Sequence, residues 1–198
     1  MSVRPRIRLQ RSFDQRSHTY QGFTLVVDGE IGGKAGLFTV GIGKATEARF
    51  SFCAGDIVEG SCLPVSHLDL ESVGYYQASG LAIIKKSSSD YSAGPPWHGI
   101  PPSLETYRSR GHRRLSQKSI EESCSTCIWA AHMAVEMIID QWDSSNVRYR
   151  RESFCYGPKS CRLYVAGPVR RVPGRKGMVW VEEDWVDEQE TEHRGPDE

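Results

Sequence analysis

No apolar run in the chain approaches the roughly 20 residues that a helix needs to cross a bilayer. Residues 1–10 are basic, with no apolar run behind them to complete a secretory signal. The expectation is therefore a soluble, cytoplasmic protein with no membrane partner. Net charge is lacking too, because 25 Lys and Arg balance 25 Asp and Glu. Catalytic signatures are also missing. There is no G-x-S-x-G, no H-E-x-x-H and no zinc-deaminase pattern. Gly41-Ile-Gly-Lys44 fails as a phosphate loop because Phe38 stands where a glycine is needed and Ala45 where Ser or Thr is needed. The carboxylates Glu182, Glu183 and Asp184 fall in an acid-rich segment, where solvation is expected instead of a tuned general acid.

What the chain does have is six cysteines, enough hydrophobic residues for a core at 38%, and a strong segregation of charge. Residues 107–118 carry Arg108, Arg110, Arg113, Arg114 and Lys118 without an acid. Residues 148–176 carry nine Lys and Arg against Glu152 alone. Residues 182–198 reverse the sign, with nine carboxylates against Arg194.

The first 90 residues alternate short β-rich runs with turn residues, predicting strands over 20–27, 37–41, 48–52, 57–65 and 81–85, with Asp28-Gly29 and Gly32-Gly33 as hairpin turns. Residues 128–142 fit a helical stripe and a strand alternation alike; the strand is adopted because a Cys-x-x-Cys turn leading straight into a strand is the build of a zinc ribbon. Paired prolines at Pro95-Pro96 and Pro101-Pro102 flank Trp97 and place a boundary in the Ser, Gly and Pro-rich stretch. The expected organisation is a β domain over 1–90, a basic linker over 91–118, a second β domain over 119–186 and an acidic tail without a fold over 187–198.

The run Phe50-Ser-Phe-Cys-Ala-Gly-Asp-Ile-Val-Glu-Gly60, followed by Tyr75-Tyr76 and residues 80–86, resembles the third-strand and fourth-strand region of oligonucleotide/oligosaccharide-binding (OB) fold barrels. The resemblance implies a mainly β protein: a small five-stranded OB-like barrel followed by a zinc-ribbon-like β domain.

Cys124-Ser-Thr-Cys127 and Cys155-Tyr-Gly-Pro-Lys-Ser-Cys161 are two close pairs separated by 27 residues, the layout from which two turns present four thiolates to one zinc ion. Gly157-Pro158 supplies a tight turn within the second pair, although its five-residue gap exceeds the common two to four. Unmetallated buried thiols, a redox dithiol and an iron–sulfur centre are the alternatives. Zinc held by four sulfurs has no open position and is structural. A hydrolase would need His132 or His112 to take a place at the metal. Cys53 and Cys62 lie in strand-like runs and read as small buried hydrophobes.

The basic residues interleave with Tyr107, Tyr149, Phe154, Tyr156, Tyr164 and Trp180. Cations beside stacking platforms hold single strands without reading bases. Arg108, Arg110, Arg113, Arg114, Arg148, Arg150, Arg151, Lys159, Arg170, Arg171, Arg175 and Lys176 are accordingly the candidate contacts to DNA or RNA. The competing expectation is a protein-interaction module, which displays Trp129, Trp142, Trp180 and Trp185 to a partner or in a homodimer. The acidic tail is expected to fold back on the basic loop 170–176 as a polyanion mimic.

Overall fold

The computed structural model describes residues 2–12, 15–87 and 94–196. The protein is mainly β, built on one large mixed sheet. Its strands are β1 (Ser2–Arg11), β2 (Arg16–Ile31), β3 (Lys34–Ile42), β4 (Ile57–Pro64), β5 (Tyr75–Lys85), β6 (Arg113–Arg114), β7 (Ala130–Ile138) and β8 (Val147–Cys155). They lie in the order β4-β5-β3-β2-β1-β7-β8-β6, with β1/β7 and β3/β5 parallel and the other pairs antiparallel. A separate two-stranded ribbon pairs β9 (Arg170–Pro173) with β10 (Val179–Glu182). Short helices α1 (Lys44–Phe50), α2 (Leu104–Arg110), α3 (Gln117–Glu122) and α4 (Asp184–Thr191) decorate the sheet. No pairing among the described residues closes the large sheet, which runs from an edge at β4 to an edge at β6.

The central strand β1 reads as a basic terminus in sequence, yet its arginines alternate with Val3, Ile7 and Leu9, and those three are fully buried. On the other face Arg6 pairs with Glu71, and Arg8 with Glu136 at 2.7 Å. The register between β1 and β2 shifts at Arg6/Ile7, opposite Gly22. Gly22 has φ +135, and a Cβ there would lie 2.2 Å from the carbonyl oxygen of Ile42, so only glycine fits this bend.

Strands expected over 20–27, 37–41, 57–65 and 81–85 fall within or along β2, β3, β4 and β5. The run expected as a strand over 48–52 instead closes α1, because Ala45, Glu47, Ala48 and Arg49 favour a helix, which Ser51 ends in the left-handed conformation at φ 47. Asp28-Gly29 lies inside β2, paired with Leu37 and Gly36, and the hairpin turns at Gly32-Gly33, where φ is +58 and +78. Of residues 128–142, Ala130–Ile138 form the strand β7, with Ala131, Met133, Val135 and Met137 facing the core, and 139–142 enter the β7–β8 turn.

The core draws Val3, Leu9, Phe23, Leu25 and Ile42 from the first part of the chain and Met133, Val135, Phe154 and Tyr156 from the second. One sheet and one core thus cross the stretch where the sequence places a boundary. Residues 91–93 of that stretch lie outside the described residues, whereas Leu104 and Tyr107 of α2 enter the core. The acidic segment is likewise folded. Asp187 of α4 accepts from the Arg114 backbone N–H at 3.1 Å and from its Nε at 2.8 Å, and Thr191 is buried. Gly111, with φ +65, lets the chain approach α4 so closely that a Cβ would meet the Glu190 carbonyl oxygen at 2.3 Å. Composition suggested a free tail because it does not show that these carboxylates have buried guanidinium partners. Residues 197–198 lie outside the described residues.

Candidate metal centre and basic surface

Local hydrogen bonding brings the two cysteine pairs to one end of the β7–β8 hairpin. Ser116 caps α3 by accepting from the Ser119 N–H at 3.1 Å, and α3 delivers Cys124, whose N–H donates to Ser119 O at 2.9 Å. The Cys127 N–H donates back to Cys124 O at 3.1 Å, and the chain then enters β7. Ala130 pairs with Cys155 in register, which sets the start of β7, three residues after Cys127, beside the end of β8. The Gly157-Pro158 turn reverses the chain, with Cys161 N–H donating to Pro158 O at 3.2 Å.

Cys124, Cys127 and Cys155 are buried together with Leu115, Ile120 and Ala130, beneath Trp97, Trp129, Leu163 and Tyr164. Cys161 is half-buried beside Trp97 and Arg162. The Gly157 N–H donates to Cys155 Sγ at 3.4 Å, and the Trp129 and Trp97 backbone N–H groups donate to the Cys127 sulfur. Such N–H donors orient and stabilise thiolates. Arg4 of β1 donates to Cys124 O at 3.4 Å and to Ser125 O, tying the central strand to the Cys-x-x-Cys turn.

Burial, followed by the nearby Cys127, Cys155 and Cys161, pushes the Cys124 thiol up to about 12. Burial raises Cys127 to about 11, partly opposed by its N–H donors, and burial raises Cys155 as well. Without a cation these groups are neutral thiols that disfavour one another's charged forms, and a bound divalent cation reverses that balance. Among the described residues no three His, Cys, Asp or Glu side chains stand arranged to hold an ion. The four thiols are neighbours nonetheless, since Cys127, Cys155 and Cys161 all act on the charge of Cys124.

Neither histidine joins them. His132 Nδ1 hydrogen-bonds Ser153 Oγ at 3.1 Å, and burial, with Arg4 and Arg151, pushes it down to about 4. His112 is buried edge-on against Phe154 at 4.4 Å and His18 at 4.7 Å. Of the remaining cysteines, Cys53 is buried beside Asp56, and Cys62 packs half-buried on the core.

No family model, curated protein or solved structure matches this chain.

The twelve basic candidates do not form one surface. Arg114 is 1% exposed, held by Asp184, Asp187 and the carbonyl oxygens of Pro168 and Glu182. Arg170 is buried against Glu152 at 2.6 Å. Arg113 donates to Pro158 O at 2.9 Å and lies over Tyr164 at 3.9 Å. Arg110 donates to Tyr156 O and lies over Trp129. These four have protein partners in place of solvent. Arg108 is exposed over Tyr20, and Lys159 reaches the carbonyl oxygens of Thr191 and Arg194.

Arg148, Arg151, Arg171, Arg175 and Lys176 remain exposed. Arg150, half-buried beside Glu152, donates to Arg171 O at 2.8 Å and so ties β8 to β9. A groove between the β7–β8 turn and the β9–β10 turn is lined by Arg148, Arg175 and Lys176, with Asp140 pairing with Arg175 at 3.5 Å. Tyr149, which follows Arg148 in β8, faces the other side of the sheet beside Glu136, whereas Trp142 is 85% exposed in the β7–β8 turn. The acidic segment does not cover this group: its carboxylates meet Arg11, Arg16 and Arg114 instead. Sequence reasoning missed Arg4, Arg11 and the backbone donors at Trp97 and Trp129; only the alternation in β1 could have shown that its arginines belong to a strand.

Proposed function

We propose that this chain is a zinc-stabilised nucleic-acid-binding protein for single-stranded DNA or RNA, with Cys124, Cys127, Cys155 and Cys161 as the metal ligands. The observation that carries the nucleic-acid part is the groove that gathers Arg148, Arg175 and Lys176, next to the β7–β8 turn in which Trp142 is exposed. Exposed cations displace counterions from phosphates, and exposed rings stack on bases. The surface stands on β8 and the β9–β10 ribbon, so the reading does not depend on OB-type closure of β2 to β5.

Support for zinc comes from the donor set: sulfur only, three of the four buried, with backbone N–H groups aimed at two of them. Zinc there contributes to folding and supplies no open coordination position. Elemental analysis of the purified protein, combined with fluorescence anisotropy of a single-stranded oligonucleotide at two salt concentrations, tests both parts. The expected result is one zinc per chain and an affinity that falls steeply with salt. Absence of metal removes the first part, and salt-independent or absent binding removes the second.

The alternative of a protein-interaction module draws on Val169, Met178, Val179, Val181 and Trp185, all exposed on or beside the β9–β10 ribbon. Self-association that persists at high salt, in a protein that ignores oligonucleotides, would favour it.

A further inference from the structure

The β9–β10 ribbon has one inward face and one outward face. Arg170, Val172 and Glu182 point inward and are buried. Their neighbours alternate outward: Val179 pairs with Pro173 and Val181 with Arg171, and paired residues share a face. Val179 and Val181 are 47% and 37% exposed, Arg171 is exposed and Pro173 is half-buried. Met178, exposed at the turn, lengthens the apolar strip. Exposed apolar residues that adjoin in this way mark an interaction surface.

Charge is laid out along the same ribbon. The turn carries Arg175 and Lys176, and the other end runs through exposed Glu183 into α4. Arg175 reaches Asp140 at 3.5 Å, but among the described residues no carboxylate lies within ion-pair distance of Arg171 or Lys176, and no cation within that distance of Glu183. The ribbon thus has a positive end, an apolar middle and a negative end. That order is self-complementary, because a second copy laid antiparallel over the first meets each end with the opposite sign. A two-fold axis lying across the strands at Trp180 sets Val179 of one copy over Val181 of the other, Pro173 over Arg171, and Glu183 over Gly177 beside Lys176.

We propose that a second copy of this chain docks on this face across a two-fold axis, forming a homodimer of antiparallel ribbons. An acidic partner answers the cations alone, a basic partner answers Glu183 alone, and a purely apolar one leaves both ends unpaired. The balance of 25 Lys and Arg against 25 Asp and Glu leaves no net repulsion between copies. The strip is short, so the dimer is weak and concentration-dependent, not obligate. Arg175 and Lys176 also line the groove between the two turns, so a second copy and a bound strand exclude one another; that consequence alone rests on the nucleic-acid reading.

Sedimentation velocity of the full-length protein over a wide concentration range tests the dimer, with Lys176→Glu, Glu183→Lys, the two combined, and Val181→Ser. All three positions are exposed, and circular dichroism checks that each variant folds. The expected result is a monomer–dimer equilibrium that each charge reversal weakens about tenfold or more, since the symmetry sets like charges opposite one another twice. The combined variant restores it. Val181→Ser weakens it as well, by the same factor at low and high salt. A protein that stays monomeric, a dimer indifferent to the single reversals, or a combined variant as weak as either single one overturns the proposal. Single-stranded oligonucleotide titrated into the dimer should yield monomers bound to the strand. A strand that binds and leaves the dimer intact overturns the proposed face. A strand that does not bind, with the dimer rescued by the combined variant, supports the dimer and removes only the nucleic-acid reading.

Discussion

Two stretches of this chain look alike in composition and behave oppositely in the fold. Residues 107–118 and 148–176 are both rich in arginine and aromatic residues. In the first, Arg110, Arg113 and Arg114 turn inward to carbonyl oxygens, carboxylates and ring faces. In the second, Arg170 is buried against Glu152, but Arg148, Arg171, Arg175 and Lys176 stay exposed, as does Arg151, which reaches the carbonyl oxygens of Leu68 and Glu71. Within the first stretch, β6 sits at the sheet edge between β8 and the acidic helix α4, where the backbone and the carboxylates meet its arginines. Charge counted along a sequence is therefore not charge available to a ligand. The difference lies in which carboxylates the fold brings near.

Removing the proposed zinc should break this contrast most severely. Arg113 is held by Pro158 O, inside the Cys155–Cys161 turn, and by Tyr164 just beyond it. If zinc fixes that turn, Cys124→Ser or a chelator unfolds the cysteine shell and releases the inward arginines. A structural zinc in a small domain contributes on the order of 10 kcal/mol of coupled binding and folding energy. Limited proteolysis should then cut near residues 110–114 in the chelated protein and not in the loaded one. Equal resistance in both would remove the metal from the account of stability.

Next in size is the difference between two arginine substitutions. Arg114→Ala strands Asp187 beside a buried backbone and should lower unfolding free energy by about 3–5 kcal/mol. Arg171→Ala removes an exposed side chain and should stay within about 0.5 kcal/mol. Urea unfolding of both variants decides, and similar losses would mean the two stretches are not structurally distinct.

What was legible beforehand follows the same division. Runs of β-forming residues between turn residues revealed β2, β3, β4 and β5, and alternation revealed β7, where burial of one face leaves a period of two. The pairing of Cys124 and Cys127 with Cys155 and Cys161 was legible from spacing, and β7–β8 pairing brings the two pairs to one end of the hairpin. β1 was missed because its alternating arginines resemble a basic terminus until Glu71 and Glu136 are seen opposite them. The order of α4 was missed for the same reason, since Arg114 lies 73 residues from Asp187. Long-range ion pairs leave no local pattern, so the sequence showed strands and the spacing of the cysteine pairs but not which charges would be neutralised.

Acid probes the inward stretch at a smaller scale. Burial, then His18 and nearby arginines, holds His112 well below its ordinary value, and burial with Arg16 and Arg11 pushes His18 down to about 4. Both stay neutral in the folded protein while the unfolded chain takes up protons below about pH 6.5. Their contribution is complete at neutral pH and is lost as pH falls from about 6.5 toward 4, at up to about 1 kcal/mol per pH unit for each histidine. His112→Phe should flatten this loss between pH 6.5 and 5 in urea titrations. A wild-type loss unchanged by that substitution would assign acid sensitivity to other groups.

The smallest effect sharpens the outward stretch. Each exposed cation that neutralises one phosphate of a single strand contributes about 0.7 to the slope of log affinity against log salt. Arg148→Ala, Arg171→Ala and Lys176→Ala should each lower that slope by about this amount and weaken binding similarly for all sequences, because phosphate contacts carry no base information. Arg113→Lys keeps the charge of an inward arginine and should leave the slope unchanged, since its guanidinium faces Pro158 O and Tyr164. If the slope instead responds to Arg113 and ignores Arg171, the ligand enters from the cysteine side, and the two stretches exchange roles.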